Sequence, residues 1–210
     1  FIETFLMATA YKMLKAAKAE DDKLEGLIKE RIQQVLDGKQ QAYEDIVEFY
    51  KDRVFQLCYR MLGDRHEAED VAQEAFLRAY TNLHTFQLNR KFSTWLYRIA
   101  TNLCIDRLRK KKPDYYLDAE VAGTEGLDMY SQIPSDTKLP EDELERLEIK
   151  ERIQTEIQRL PEKYRSVIVL KYIDELSLKE ISEILNLPVG TVKTRIHRGR
   201  DALRKSMRSI

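Results

Sequence analysis

Helix breakers are unevenly placed in this chain. Of five prolines and seven glycines in 210 residues, three prolines and two glycines fall between Pro113 and Pro140. The stretches on either side carry few breakers, show apolar residues at helical spacing, and lack strand-like alternation bounded by turns. This pattern implies an all-α fold of two small helical domains, residues 24–112 and 141–210. A flexible acidic linker over residues 113–140 joins them, and an extension over residues 1–23 precedes them. Domains of roughly 90 and 65 residues bury only about 60 % of their unfolded surface and gain from a partner.

Charge follows the same division. Thirty-six basic and thirty-six acidic residues cancel overall, but not locally. Arg78–Lys112 holds nine Lys/Arg and one acid, whereas Pro113–Glu148 holds eleven acids against Lys138 and Arg146. Pro188–Ile210 is basic again, with seven Lys/Arg and one Asp. Two basic modules around an acidic connector point to a polyanionic partner. The connector itself is expected to be repelled by nonspecific DNA.

The C-terminal module has the pattern of a helix-turn-helix. Ser177 and Glu180 have capping-box spacing, and Leu178, Ile181, Ile184 and Leu185 give the helix they start an apolar side. Pro188 lacks an amide donor and disfavours helix at the residue before it, so Asn186-Leu187-Pro188 forms the break. A second helix follows, with Val192, Ile196 and Leu203 facing inward and Lys193, Thr194, Arg195, His197, Arg198 and Arg200 outward. A short helix, a tight turn and a basic second helix suit a DNA major groove. An ordinary helical hairpin with a solvated basic face is the plain alternative.

In the N-terminal module, Gln41–Leu62 places Ile46, Val47, Phe49, Tyr50, Val54, Leu57, Cys58 and Met61 at core spacing. Gly63 ends this helix and Asp64 or its followers begin the next, His66–Leu83. Asp70, Gln73 and Glu74 share one side of it, while Val71, Ala75 and Leu77 are assigned mostly elsewhere. That side is either a solvated acidic face near the helix N-terminus or a docking surface for a protein partner. After a break at Thr85–Asn89, Ser93 is a plausible N-cap for a further helix. Leu96, Ile99, Ala100 and Leu103 suit its core side, and Trp95, Arg98, Asn102, Asp106 and Arg109 gather on another. Rings that stack on bases, beside cations that hold phosphates, suit single-stranded nucleic acid. The competing assignment makes Trp95 and Tyr97 packing residues and the run to Lys112 a frayed basic end.

Cys58 and Cys104 sit in apolar runs without CxxC spacing, which implies buried free thiols and a reducing cytoplasm. His66, His84 and His197 lie far apart, and no phosphate loop, nucleophile elbow or zinc motif occurs. Neither catalysis, a metal nor a cofactor is implied.

Four motifs then occur in order: Asp70-Val71-Ala72-Gln73-Glu74-Ala75-Phe76, Phe92–Asn102, Leu160-Pro161-Glu162-Lys163-Tyr164-Arg165, and Pro188–Arg195. Together they closely resemble bacterial RNA polymerase sigma factors of the extracytoplasmic-function group, over about Leu24 to the C-terminus. The resemblance implies a sigma-2 and a sigma-4 domain and several partners. Asp70, Gln73 and Glu74 match the helix that docks on the β′ clamp coiled-coil of core RNA polymerase. Phe86–Arg109 matches the part that melts and reads the promoter −10 element, with Asn89, Arg90, Lys91, Ser93, Thr94, Trp95, Asn102 and Arg109 as candidates. Leu160–Ile173 matches the part that meets the β flap, and Lys193, Thr194, His197 and Arg198 match recognition-helix positions facing the −35 element. An anti-sigma factor, often membrane-anchored, and a role in envelope stress are also implied.

Phe1–Lys23 matches nothing in that pattern and is too charged for a membrane span. It is expected to be a translated upstream stretch or an added segment, with initiation near Leu24. Two other classes compete with the sigma factor: a helix-turn-helix regulator that acts without polymerase, and a helical adaptor. The regulator leaves the Asp70, Gln73, Glu74 side and the Trp95 face unexplained, and the adaptor leaves both basic modules unexplained.

Overall fold

The computed structural model describes residues 23–111 and 151–208, and every regular element among them is a helix. The extension up to residue 22 and the acidic segment Pro113–Pro140 lie outside the described residues. The first unit contains α1 (residues 23–36), α2 (Ala42–Leu62), α3 (Arg65–Thr81), a 3₁₀ turn (Leu83–Thr85) and α4 (Phe92–Lys111). The second contains α5 (residues 151–159), α6 (Glu162–Tyr172), α7 (Leu178–Leu185) and α8 (Val189–Arg208).

In the first unit, α2 and α3 pack as a hairpin with α4 laid across both. Gly63 turns the chain between them at φ +79°, a conformation that L side chains rarely adopt. Asp64 then accepts a hydrogen bond from the Glu67 amide at 2.9 Å and caps α3. The core is built from Ile46, Tyr50, Val54, Leu57, Cys58 and Met61 of α2, Val71, Ala75 and Ala79 of α3, and Leu96, Ala100 and Cys104 of α4. Both cysteines are free, buried thiols. Tyr43 ties the hairpin together by donating its hydroxyl to the Phe76 carbonyl at 2.7 Å.

Three sequence expectations change here. Phe49 is 48 % exposed rather than core. At 100° per residue it lies roughly a quarter turn from the row of Ile46, Tyr50 and Leu57. The third helix runs Arg65–Thr81, with a separate 3₁₀ turn at Leu83–Thr85, rather than His66–Leu83. Ser93 is not an N-cap, because α4 already begins at Phe92. The Phe92 amide instead donates to the Glu25 carboxylate at 2.5 Å. A helix-start amide is thus satisfied from α1, far away in sequence.

The second unit packs α6 and α7 against α8. Ser177 and Glu180 form the full capping box of α7, and Ile181 and Ile184 are buried beneath it. Asn186 closes α7 in the left-handed region, φ 53°, before Pro188 redirects the chain. Val192 and Ile196 anchor α8, with Leu203 half-buried further along.

Gly199 allows α6 and α8 to approach closely. A Cβ there would lie 2.8 Å from Ile168 Cγ1, 3.1 Å from its Cδ1 and 3.5 Å from Tyr164 Cβ. Alanine in a helix interior gains about 1 kcal/mol over glycine, but overpacking a buried Ile typically costs about 1–3 kcal/mol. Gly199→Ala is therefore expected to destabilise the protein by about 1 kcal/mol, read as a lowered denaturant midpoint. A raised midpoint would show that Ile168 moves aside freely.

Candidate nucleic-acid and protein interfaces

The first site is a shallow groove along α3, lined by Asp70, Gln73, Glu74, Leu77, Arg78, Thr81 and Asn82. Asp70 and Gln73 are exposed and Glu74 is half-buried. Glu74 bridges Arg78 at 2.6 Å across one turn, a spacing that suits exposed ion pairs. Leu77, which the sequence reading assigned elsewhere, lies in the same groove and is 67 % exposed. The 100° helical step places position 77 between 70, 73 and 74. By contrast, Val71 and Ala75 are buried as expected. A bare leucine framed by carboxylates and an amide has the chemistry of a protein-docking surface.

The second site is the loop after the 3₁₀ turn together with the outer side of α4. Phe86 and Phe92 are buried and pack at ring-centroid distances of 5.4 and 5.6 Å against Trp95, which is only half-buried. Trp95 is therefore held by two rings while staying partly open to solvent. Tyr97 is a packing residue, 6 % exposed. Exposed Asn89, Arg90 and Lys91 precede it in the loop, Ser93 and Thr94 beside it are half-buried, and exposed Arg98, Asn102, Asp106 and Arg109 follow along the same side of α4. The structure thus brings a held aromatic plane, amides and cations onto one side. That arrangement suits unstacked bases with phosphates nearby.

The third site is the outer face of α8. Lys193, Thr194, His197 and Arg198 are exposed together on its first half. Thr194 donates its hydroxyl to the Gly190 carbonyl at 3.0 Å, and His197 Nδ1 lies 3.0 Å from the Asp201 carboxylate. These contacts restrict both side chains while leaving the Lys193 and Arg198 stems free of the core. Arg195, expected to project outward, is half-buried, whereas Arg200 and Arg204 are exposed. A basic helix of this kind, carried by a short capped helix and a tight turn, fits a major groove.

The two units also meet, where sequence reading assigned only a linker. Arg165 of α6, 9 % exposed, donates Nη1 to the Met61 carbonyl at the end of α2 at 2.7 Å. Its remaining donors reach the Leu160 carbonyl at 3.1 and 3.3 Å and the Gln158 carbonyl. Burial pulls its pKa down to about 10. Elsewhere in the same region, burial pushes the Asp174 carboxyl up to about 7, with Arg60 opposing the shift.

Comparison with known proteins places the two units in known families. The family model for Sigma-70 region 2 matches residues 46–113, and that for Sigma-70 region 4 matches residues 150–203. The chain is 71 % identical over 187 residues to the ECF RNA polymerase sigma factor SigW of Bacillus subtilis, covering 89 % of this chain and all of that protein. The chain belongs to the extracytoplasmic-function sigma factors. Another relative, the RNA polymerase sigma-H factor of Pseudomonas aeruginosa, is 36 % identical over 85 % of this chain and 93 % of its own length. A solved structure of CnrH in complex with the cytosolic domain of CnrY shares the fold, with TM-score 0.62 and 24 % identity over 86 % of this chain and 97 % of that chain. RpoE of Bartonella quintana, solved with the anti-sigma factor NepR, gives TM-score 0.57 at 17 % identity over 79 % of this chain and 96 % of that chain.

Within this sigma factor, the region 2 match contains the α3 groove and the Trp95 face, and the region 4 match contains α6, α7 and most of α8. Leu77 and Glu25 escaped the sequence reading for different reasons. Leu77 was available from helical spacing alone, but Glu25 required knowing that α1 reaches the start of α4. No helix among the described residues is long and apolar enough to cross a membrane.

Proposed function

We propose that the chain joins core RNA polymerase through the α3 groove and directs promoter-specific initiation by reading two elements with two chemically different surfaces. The observation that carries this is the division of labour among exposed groups. The α8 face offers compact cations and hydroxyl and imidazole groups for duplex base edges, whereas the α4 face offers an anchored ring with amides and cations for opened strands. Lys193, Thr194, His197 and Arg198 face the −35 element. Asn89, Arg90, Lys91, Ser93, Thr94, Trp95, Asn102 and Arg109 serve the −10 element, where capture of an unstacked base offsets part of the cost of melting.

Asp70, Gln73 and Glu74 meet the β′ clamp coiled-coil, and Leu160–Ile173 meets the β flap. Residues 24–112 act as sigma-2 and residues 141–210 as sigma-4. The protein works in the cytoplasm without catalysis of its own. A membrane-anchored anti-sigma factor holds it inactive until envelope stress.

Transcription from a candidate promoter by core polymerase tests this reading. Promoter-specific transcripts are expected only when the chain is added. Duplex binding without any effect on core would instead support a regulator, and neither activity would support an adaptor.

A further inference from the structure

We propose that Asp201 is a positioning residue for base reading: it accepts the Nδ1 proton of His197 and so leaves Nε2 facing outward as an acceptor for an exocyclic amine of the −35 duplex. This role rests on the assignment of the α8 face to that duplex, and it specifies what one side chain of the face reads.

Sequence and geometry point the same way. α8 carries seven Lys/Arg and a single acid, Asp201. A carboxylate on a helix that faces phosphates opposes binding, and an exposed ion pair one turn apart adds little to folding. Helix stability is therefore a weak reason for an acid at this place. Lys193, His197 and Asp201 follow one another at i, i+4 steps, which stacks their side chains along one stripe. Asp201 Oδ2 lies 3.0 Å from His197 Nδ1, with the histidine side chain 71 % and the aspartate 39 % exposed. Arg198 and Arg204 stand three residues to either side of Asp201, yet the carboxylate meets the imidazole.

The inventory of donors and acceptors then decides what His197 offers. An ionised carboxylate only accepts, so a ring nitrogen at hydrogen-bond distance from it is the one that carries the proton. Neutral imidazole has one N–H. With that proton on Nδ1, Nε2 keeps a lone pair, and it points away from the helix neighbour that holds Nδ1. Phosphate oxygens are acceptors too, so Nε2 in this state cannot hold the DNA backbone. In the major groove adenine N6 and cytosine N4 are the donors, whereas guanine N7 and O6 and thymine O4 are acceptors. His197 therefore selects an amine-bearing base, while Lys193 and Arg198 beside it suit guanine or phosphate. Without Asp201 the proton settles on either nitrogen and the ring rotates, so the acceptor is no longer fixed.

Holoenzyme assembled from the full chain and core polymerase tests this at about pH 8, where imidazole holds one proton. The probes are promoter duplexes in which, one position at a time, an adenine of the −35 element becomes purine or a cytosine becomes 2-pyrimidinone. Each change removes only the exocyclic amine. Wild type is expected to lose about fivefold in affinity at one such position. His197→Ala and Asp201→Ala should both be indifferent to the amine there. Asp201→Asn removes the same charge as Asp201→Ala but keeps an oxygen that accepts the Nδ1 proton, so it should retain the fivefold loss. If the two Asp201 variants behave alike, charge alone matters and the proposal fails. It fails also if His197→Ala abolishes the amine effect and Asp201→Ala preserves it, a result that keeps His197 on the −35 element. Specific binding in which no amine deletion separates wild type from His197→Ala overturns it as well. Holoenzyme with no preference for the −35 element refutes the assignment of α8 itself, and the role of Asp201 with it.

Discussion

Asp70→Ala, Glu74→Ala and Leu77→Ala combined are expected to lower affinity for core polymerase by about 100-fold, roughly 3 kcal/mol, while leaving −35 duplex binding unchanged. Leu77 is 67 % exposed, so its removal costs little in folding and its loss is felt in docking. Asp70 and Glu74 frame it, and Glu74 also holds Arg78 at 2.6 Å, so that their loss removes both charge complementarity and the shape of the groove. Interfaces concentrate their energy in a few central side chains ringed by polar ones, and the groove has that form. Fluorescence anisotropy of the labelled chain against core measures the effect. A Leu77→Ala single variant that binds as wild type would return Leu77 to the status of an incidental exposed residue.

Lys193→Ala with Arg198→Ala is expected to have the opposite profile. Transcription that depends on the −35 element should fall about 10- to 100-fold, with core binding changed less than about twofold. A good base contact contributes about 1–3 kcal/mol of discrimination, and under the proposed reading the two exposed cations share one face of α8 and so would act on the same few base pairs. If one of them meets a phosphate instead, its loss should lower affinity across all sequences and reduce the salt slope by about one. Measuring −35 duplex affinity against salt for each single variant separates the two roles. Loss of core binding from either change would contradict the placement of α8 on DNA.

Local signals were legible in the sequence, and distant partnerships were not. The capping box at Ser177 and Glu180, the turn at Gly63 and the Asp64 cap depend on neighbours four residues apart or fewer, and all form. The basic face of α8 was equally local. Ser93 looked like a cap because serine often is one, yet Glu25 already serves the Phe92 amide. No spacing rule reports a partner 67 residues away. Likewise, Arg165 belongs to a motif visible in the sequence, but its bond to the Met61 carbonyl, 104 residues away, appears only once the two units are placed together. Leu77 is a different kind of miss. Its side of the helix follows from the 100° step, yet it was grouped with Val71 and Ala75, away from the polar side.

These surfaces matter only if the chain and core together open a promoter, since each reading face alone sees half of the signal. Permanganate reactivity of thymines at the −10 element measures that opening directly. The account predicts reactive thymines when the chain and core polymerase are both present, and none with either component alone. Opening by core without the chain, or a closed −10 element with both present at a promoter the chain demonstrably binds, would contradict it.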